Sequence, residues 1–119
     1  MAKTLDFNKL NRPTLPMVMC DEKKTTIKVT TPKEELIEEL QATLPELQAI
    51  MDGKNQEAVD LCYDLAARLI SCNTSGLAVC ADDLREKYWP KDRIMNQLYL
   101  VTFYEAYIAF IAEINNAKN

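Results

Sequence analysis

The segment that follows Pro90 places the strongest constraint on the fold, because its pattern predicts one long helix, from about residue 91 to 115, that is apolar on two sides. On a helical wheel one face is large and aromatic, and we expect it to pack in the core. The opposite side carries a thinner apolar strip at coiled-coil spacing, which Glu105 interrupts. The aromatic face comprises Leu100, Phe103, Tyr104, Tyr107, Phe110, Ile111 and Ile114, and the strip comprises Ile94, Leu98, Val101 and Ile108.

A helix with two apolar sides is either central to its own fold or shared with a partner, and the pattern leaves both alternatives open. Trp89, the only tryptophan, lies beside Pro90 at the junction before this helix. It is either a core staple or a binding anchor, since tryptophan is enriched at interface hot spots. The hypothetical partner-binding residues are therefore Ile94, Leu98, Val101, Ile108 and Trp89.

The first third of the chain indicates β structure. Thr4–Phe7 is one strand candidate, Thr14–Cys20 is a second, and the alternating segment Thr25–Thr31 is the clearest. Pro16 lacks an amide donor, which favours an edge position for its strand. We predict a hairpin region over residues 1–31 with two or three short strands. It must pack on helices or on another chain, because a lone hairpin is barely stable in water.

Helical patterns fill the chain from residue 32 to residue 115. Thr31 and Pro32 resemble a helix cap and a first helical residue, and Pro45 should divide the first helix near Thr43. Gly53 predicts the end of this helical region, and Asn55 can cap a second helix. A short helix over residues 81–88 then precedes the long one. We therefore predict a single α+β domain, 1–119, dominated by three to four helices, with a tail at 116–119.

The charge and the apolar pattern of the chain argue against two classes of partner, nucleic acid and membrane. The net charge is −4 and the 14 basic residues are scattered, so no concentrated positive face is available for nucleic acid. The apolar stretch from Leu98 to Ala112 is shorter than the roughly 20 residues a bilayer requires, and Glu105 lies inside it. No signal segment opens the chain. These features predict a cytoplasmic protein that binds neither nucleic acid nor membrane.

The residues needed for common catalytic and metal sites are scarce. The chain has no histidine, which removes the usual general base near neutral pH. Its two glycines, Gly53 and Gly76, are too far apart for a phosphate-binding loop. Without an export signal we expect the four cysteines to be reduced thiols, and because they form no Cys-x-x-Cys pair we expect no zinc site. Adjacent acids such as Glu34 and Glu35 are typical of a solvated helix face. The sequence predicts no catalytic residue, no metal and no cofactor.

The layout resembles a family of small proteins encoded by tailed phages and prophages of Firmicutes, the siphophage tail assembly chaperones. The resemblance covers most of the chain and is carried by short strings, four of them before the acidic helices and one at the end. These strings are Thr4–Asn8 (TLDFN), Leu15–Val18 (LPMV), Asp21–Lys23 (DEK), Ile27–Pro32 (IKVTTP) and Tyr107–Glu113 (YIAFIAE).

The resemblance implies a non-enzymatic chaperone or adaptor that shields the apolar helical tape-measure protein and recruits tail-tube subunits. It implies no individual site residue, and a homo-oligomer stays open. Two alternatives are a minor structural protein that completes the tail or head, and a small acidic phage regulator that binds a host protein.

Overall fold

A computed structural model of the chain describes residues 13–46 and 56–117. Within these ranges an antiparallel hairpin precedes a series of helices, which confirms the predicted helix-dominated α+β class. The elements are β1 (Leu15–Val18), β2 (Thr26–Val29), α1 (Glu34–Thr43) with a 3-10 turn at Leu44–Glu46, α2 (Gln56–Ile70), α3 (Ala81–Asp83) continued by a π-helical turn at Leu84–Tyr88, and α4 (Arg93–Ala117). The predicted strand at Thr4–Phe7, the stop at Gly53 and the cap at Asn55 lie outside the described residues.

The hairpin has the predicted alternation. Ile27 and Val29 are 1% and 0% exposed, whereas Thr26 and Lys28 face solvent. Burying two β-branched side chains on one face fixes the register, because a slip of one residue would bring polar side chains into the core. The hairpin is thereby anchored on the helical layer.

Pro16 occupies the outer edge of the hairpin, as predicted. It lies opposite Lys28, whose carbonyl accepts a 3.1 Å hydrogen bond from the amide of Thr74 and therefore points away from β1. In an antiparallel pair, two directly opposed residues point their backbone N–H and C=O groups either both toward each other or both away from each other. The nitrogen of Pro16 therefore also points away from β2. Its missing N–H costs no ladder bond there. Among residues 13–46 and 56–117, no strand pairs with this outer edge of β1.

The start of α1 differs from the prediction. Thr31 does not cap the helix: Lys33 occupies the capping position, without a side-chain hydrogen bond, and Glu34 is the first helical residue. The extended chain thus continues two residues further than predicted, and the amide of Thr30 within it donates to the carbonyl of Cys72 at 2.8 Å. The predicted break before Pro45 is confirmed, since α1 gives way to a 3-10 turn after Thr43.

The core lies where α2 and α4 meet under the hairpin. Most of the predicted aromatic face of α4 is buried, with Leu100, Tyr104 and Tyr107 at 1% exposure or less, while Ile111 and Ile114 at its end are partly buried against the core. The Tyr104 hydroxyl donates to the carbonyl of Cys62 at 2.6 Å, which satisfies a phenol that is otherwise surrounded by apolar groups. No helix within the described ranges is long and apolar enough to cross a membrane.

Candidate functional site

An apolar groove of about 440 Å³ runs between β1 and α4. The helix supplies one wall, the strand supplies the other, and the α3–α4 junction closes one end. None of the lining side chains carries a formal charge, so the groove is suited to apolar groups rather than to ions. The lining residues are Leu15, Pro16, Met17, Val18, Trp89, Leu98, Tyr99, Thr102, Phe103 and Ala106.

Large apolar side chains at the walls of this groove are exposed to solvent. Val18 is 66% exposed on the strand side, and Leu98 is 50% exposed on the helix side. Ile94, one helical turn before Leu98, is 77% exposed. Single exposed apolar residues are ordinary, but an exposed group beside an apolar groove is typical of an interaction site.

The predicted strip lies on α4 beside the groove. Ile94 and Leu98 are exposed, whereas Val101 and Ile108 are half-buried. Leu98 is the member that also lines the groove. On a helical wheel the other three members lie on the side of Leu98 that faces away from β1. We refer to the groove and the strip together as the docking surface.

Trp89 occupies the structural position predicted for a core staple. It is 5% exposed, and its ring packs against the ring of Tyr63 at a centroid distance of 6.5 Å. It therefore staples the α3–α4 junction to α2. It also forms part of the groove lining, so one side of the indole stays within reach of a bound group. Its role as an anchor remains a prediction.

Polar groups influence two of the rings described here, Tyr99 and Tyr63. The neighbouring Cys20 thiol raises the pKa of the phenol of Tyr99, which lines the groove. The guanidinium of Arg85 lies 4.2 Å from the ring centroid of Tyr63, the ring that packs against Trp89, and forms an ion pair with Asp60. Neither of these charged residues lines the groove.

Sequence reasoning missed Asn96, a polar side chain that is only 4% exposed. Its Nδ2 donates to the carbonyls of Leu84, Arg85 and Pro90 at 3.2, 3.2 and 2.8 Å, and so fixes the junction that carries Trp89. The available signal was an asparagine on the core side of the α4 wheel, since a buried polar side chain needs partners. Sequence reasoning also missed Val18, because its contribution depends on where α4 lies.

The described residues contain no group of three or more Cys, Asp or Glu side chains that could hold a metal ion. All four cysteines lie in the described ranges, and none of them is in a disulfide. Cys20 and Cys80 are exposed, while Cys62 is buried in the core.

Known proteins give no template for the docking surface. Comparisons of the chain with protein-family models, with curated proteins and with solved structures found no match. The surface is therefore defined by the chain's own geometry: an apolar groove with exposed aliphatic walls, continued on one side by the strip of α4.

Proposed function

We propose that this protein is a non-enzymatic tail assembly chaperone of a phage or prophage, acting in the bacterial cytoplasm. Its docking surface would cover an apolar helical segment of the tape-measure protein until the tail-tube subunits cover that segment instead. The observation that carries the proposal is the exposure of Val18, Ile94 and Leu98 around or beside an uncharged groove. The resemblance of the sequence to tail assembly chaperones supplies the identity of the partner.

The shape of the surface favours a helix as the bound element. The groove follows the axis of α4, and the strip repeats at intervals of three and four residues. Side chains at this spacing interlock with those of a second helix packed alongside, at an axis-to-axis distance of about 8–10 Å. Burial then gains roughly 25 cal/mol for each Å² of apolar surface removed from water. No bond is made or broken, which agrees with a role in shielding and release.

Replacing Leu98 by Asp tests the surface directly. The side chain is half exposed, so the variant should fold, but a carboxylate in the groove wall should prevent an apolar helix from docking. Leu61→Asp is the matched control, because Leu61 is 65% exposed on α2 and does not line the groove. We expect co-expressed tape-measure fragments to stay soluble with the wild type and with Leu61→Asp, and to precipitate with Leu98→Asp.

Far-UV circular dichroism should be the same for all three proteins. Equal solubility of the fragments with both variants would contradict the proposed surface. Mass spectrometry of purified virions tests the role separately: a chaperone should be absent from the particle, and its presence there would favour a structural component.

A further inference from the structure

Glu105 is a carboxylate in the middle of the strip, between Val101 and Ile108. It is exposed, and within the described part of the chain it forms no hydrogen bond or ion pair. The positions three and four residues away on α4, where a helical neighbour would reach it, hold Val101, Thr102, Ile108 and Ala109, none of which is basic. The charge therefore has no local compensation.

A helix that covers the strip must also cover this charge. Removing a carboxylate from water without a cation or other donors is strongly unfavourable, even where the surrounding apolar contacts are good. A partner with a purely apolar face would therefore lose much of the binding free energy that the rest of the strip contributes. Resting on the function proposed above, we propose that the partner is a helix whose apolar seam is interrupted by one lysine or arginine, placed opposite Glu105.

A second copy of the chain that docks through its own α4 does not fit this requirement. Within α4 the charged residues are Arg93, Glu105 and Glu113. Arg93 lies twelve residues before Glu105, which places it about 120° away around the helix at 3.6 residues per turn. An antiparallel copy of α4 would thus bring Glu105 against an apolar residue or against another Glu105. The charge pattern favours a different protein as the partner, one that carries the lysine or arginine.

Such a pair would set the register of the partner. A single polar position in an apolar seam specifies alignment because every shifted arrangement leaves the buried charge without its counterpart. Glu105 would then select which heptad of a long, repetitive apolar helix the chaperone covers. The strip supplies affinity, and the carboxylate supplies specificity.

Three synthetic helical peptides with leucine heptads can test the inference. They are identical except for the central seam residue, which is Lys, Gln or Glu, and they are used below the concentration at which they self-associate. Binding is followed by fluorescence anisotropy. We expect the wild type to bind the Lys peptide about tenfold more tightly than the Glu peptide, with a preference that decreases as salt is added. Glu105→Gln should remove the preference, and Glu105→Lys should reverse it.

The outcomes separate the inference from the function on which it rests. If the three peptides bind equally and Leu98→Asp abolishes all binding, the surface accepts an apolar helix but the register role of Glu105 is wrong. If no peptide binds the wild type, both proposals fail. Circular dichroism of Glu105→Gln and Glu105→Lys verifies that the exposed substitutions leave the fold intact.

Discussion

The hydroxyl of Tyr63 donates a 2.6 Å hydrogen bond to Oδ1 of Asn96, and this contact ties α2 to the first turn of α4. The amide of Asn96 in turn holds three carbonyls of the α3–α4 junction, including that of Pro90. One buried side chain thus fixes the position of Trp89 at the end of the groove. The shape of the docking surface depends on a polar contact outside it.

Asn96→Ala should lower the free energy of unfolding by about 3 kcal/mol, since it removes the acceptor of Tyr63 and leaves buried carbonyls without a donor. Urea unfolding followed by tryptophan fluorescence measures the loss. Gln97→Ala, at the next position of α4, should stay within about 0.5 kcal/mol of the wild type. A similar stability for both variants would mean that the junction is held by other contacts.

Alkaline pH should destabilise the protein through Tyr104. Burial raises the pKa of this phenol well above its ordinary value of 10.0. The folded state therefore keeps the phenol neutral, while the unfolded chain ionises it near pH 10. The resulting stability is complete below pH 10 and decreases as the pH rises further, by at most about 1.4 kcal/mol per pH unit for one group.

Tyr104→Phe isolates this contribution. At pH 8 it should cost about 1 kcal/mol, the net value of the hydrogen bond to the Cys62 carbonyl. Between pH 10 and pH 11 its urea midpoint should decrease less steeply than that of the wild type. Parallel slopes for the two proteins would show that Tyr104 ionises equally readily in the folded and unfolded states.

Lys24 in the hairpin loop has a φ of 48°, in the left-handed region that favours glycine. Lys24→Gly removes the steric cost of a side chain in this conformation, so it should raise the free energy of unfolding by up to about 1 kcal/mol. Lys23→Gly is the control, because Lys23 does not have a positive φ and should gain nothing. Thermal unfolding compares the two, and equal effects would contradict a strained loop.

The two sides of α4 should respond differently to truncation. Leu100 is 1% exposed, so Leu100→Ala should cost about 2–5 kcal/mol through lost contacts and a cavity. Leu98 is 50% exposed, and Leu98→Ala should cost less than about 1 kcal/mol. Chemical denaturation of the two variants gives the comparison. A large loss at Leu98 would place the strip in the core instead of at a docking surface.

Local patterns determined the element types and the core. The alternation at Ile27 and Val29 predicted a half-buried strand, and the aromatic side of the final helix predicted the buried face that contains Tyr104. Pro16 and Pro45 marked an edge and a break for reasons that act within a few residues. Such features follow from the sequence because they depend on backbone sterics and on the periods of helix and strand.

Tertiary packing alone decided how these pieces form a surface. The wheel of α4 separates a core side from a strip, but it does not show that β1 lies beside Leu98 and leaves a groove between them. The burial of Trp89 and the network around Asn96 depend on where α2 lies. Thr31 does not cap α1, and the hydrogen bond from its neighbour Thr30 to Cys72 is a contact that the local capping signal does not include. These features depend on contacts between residues that are distant in sequence, and the local periodicity of the sequence does not predict such contacts.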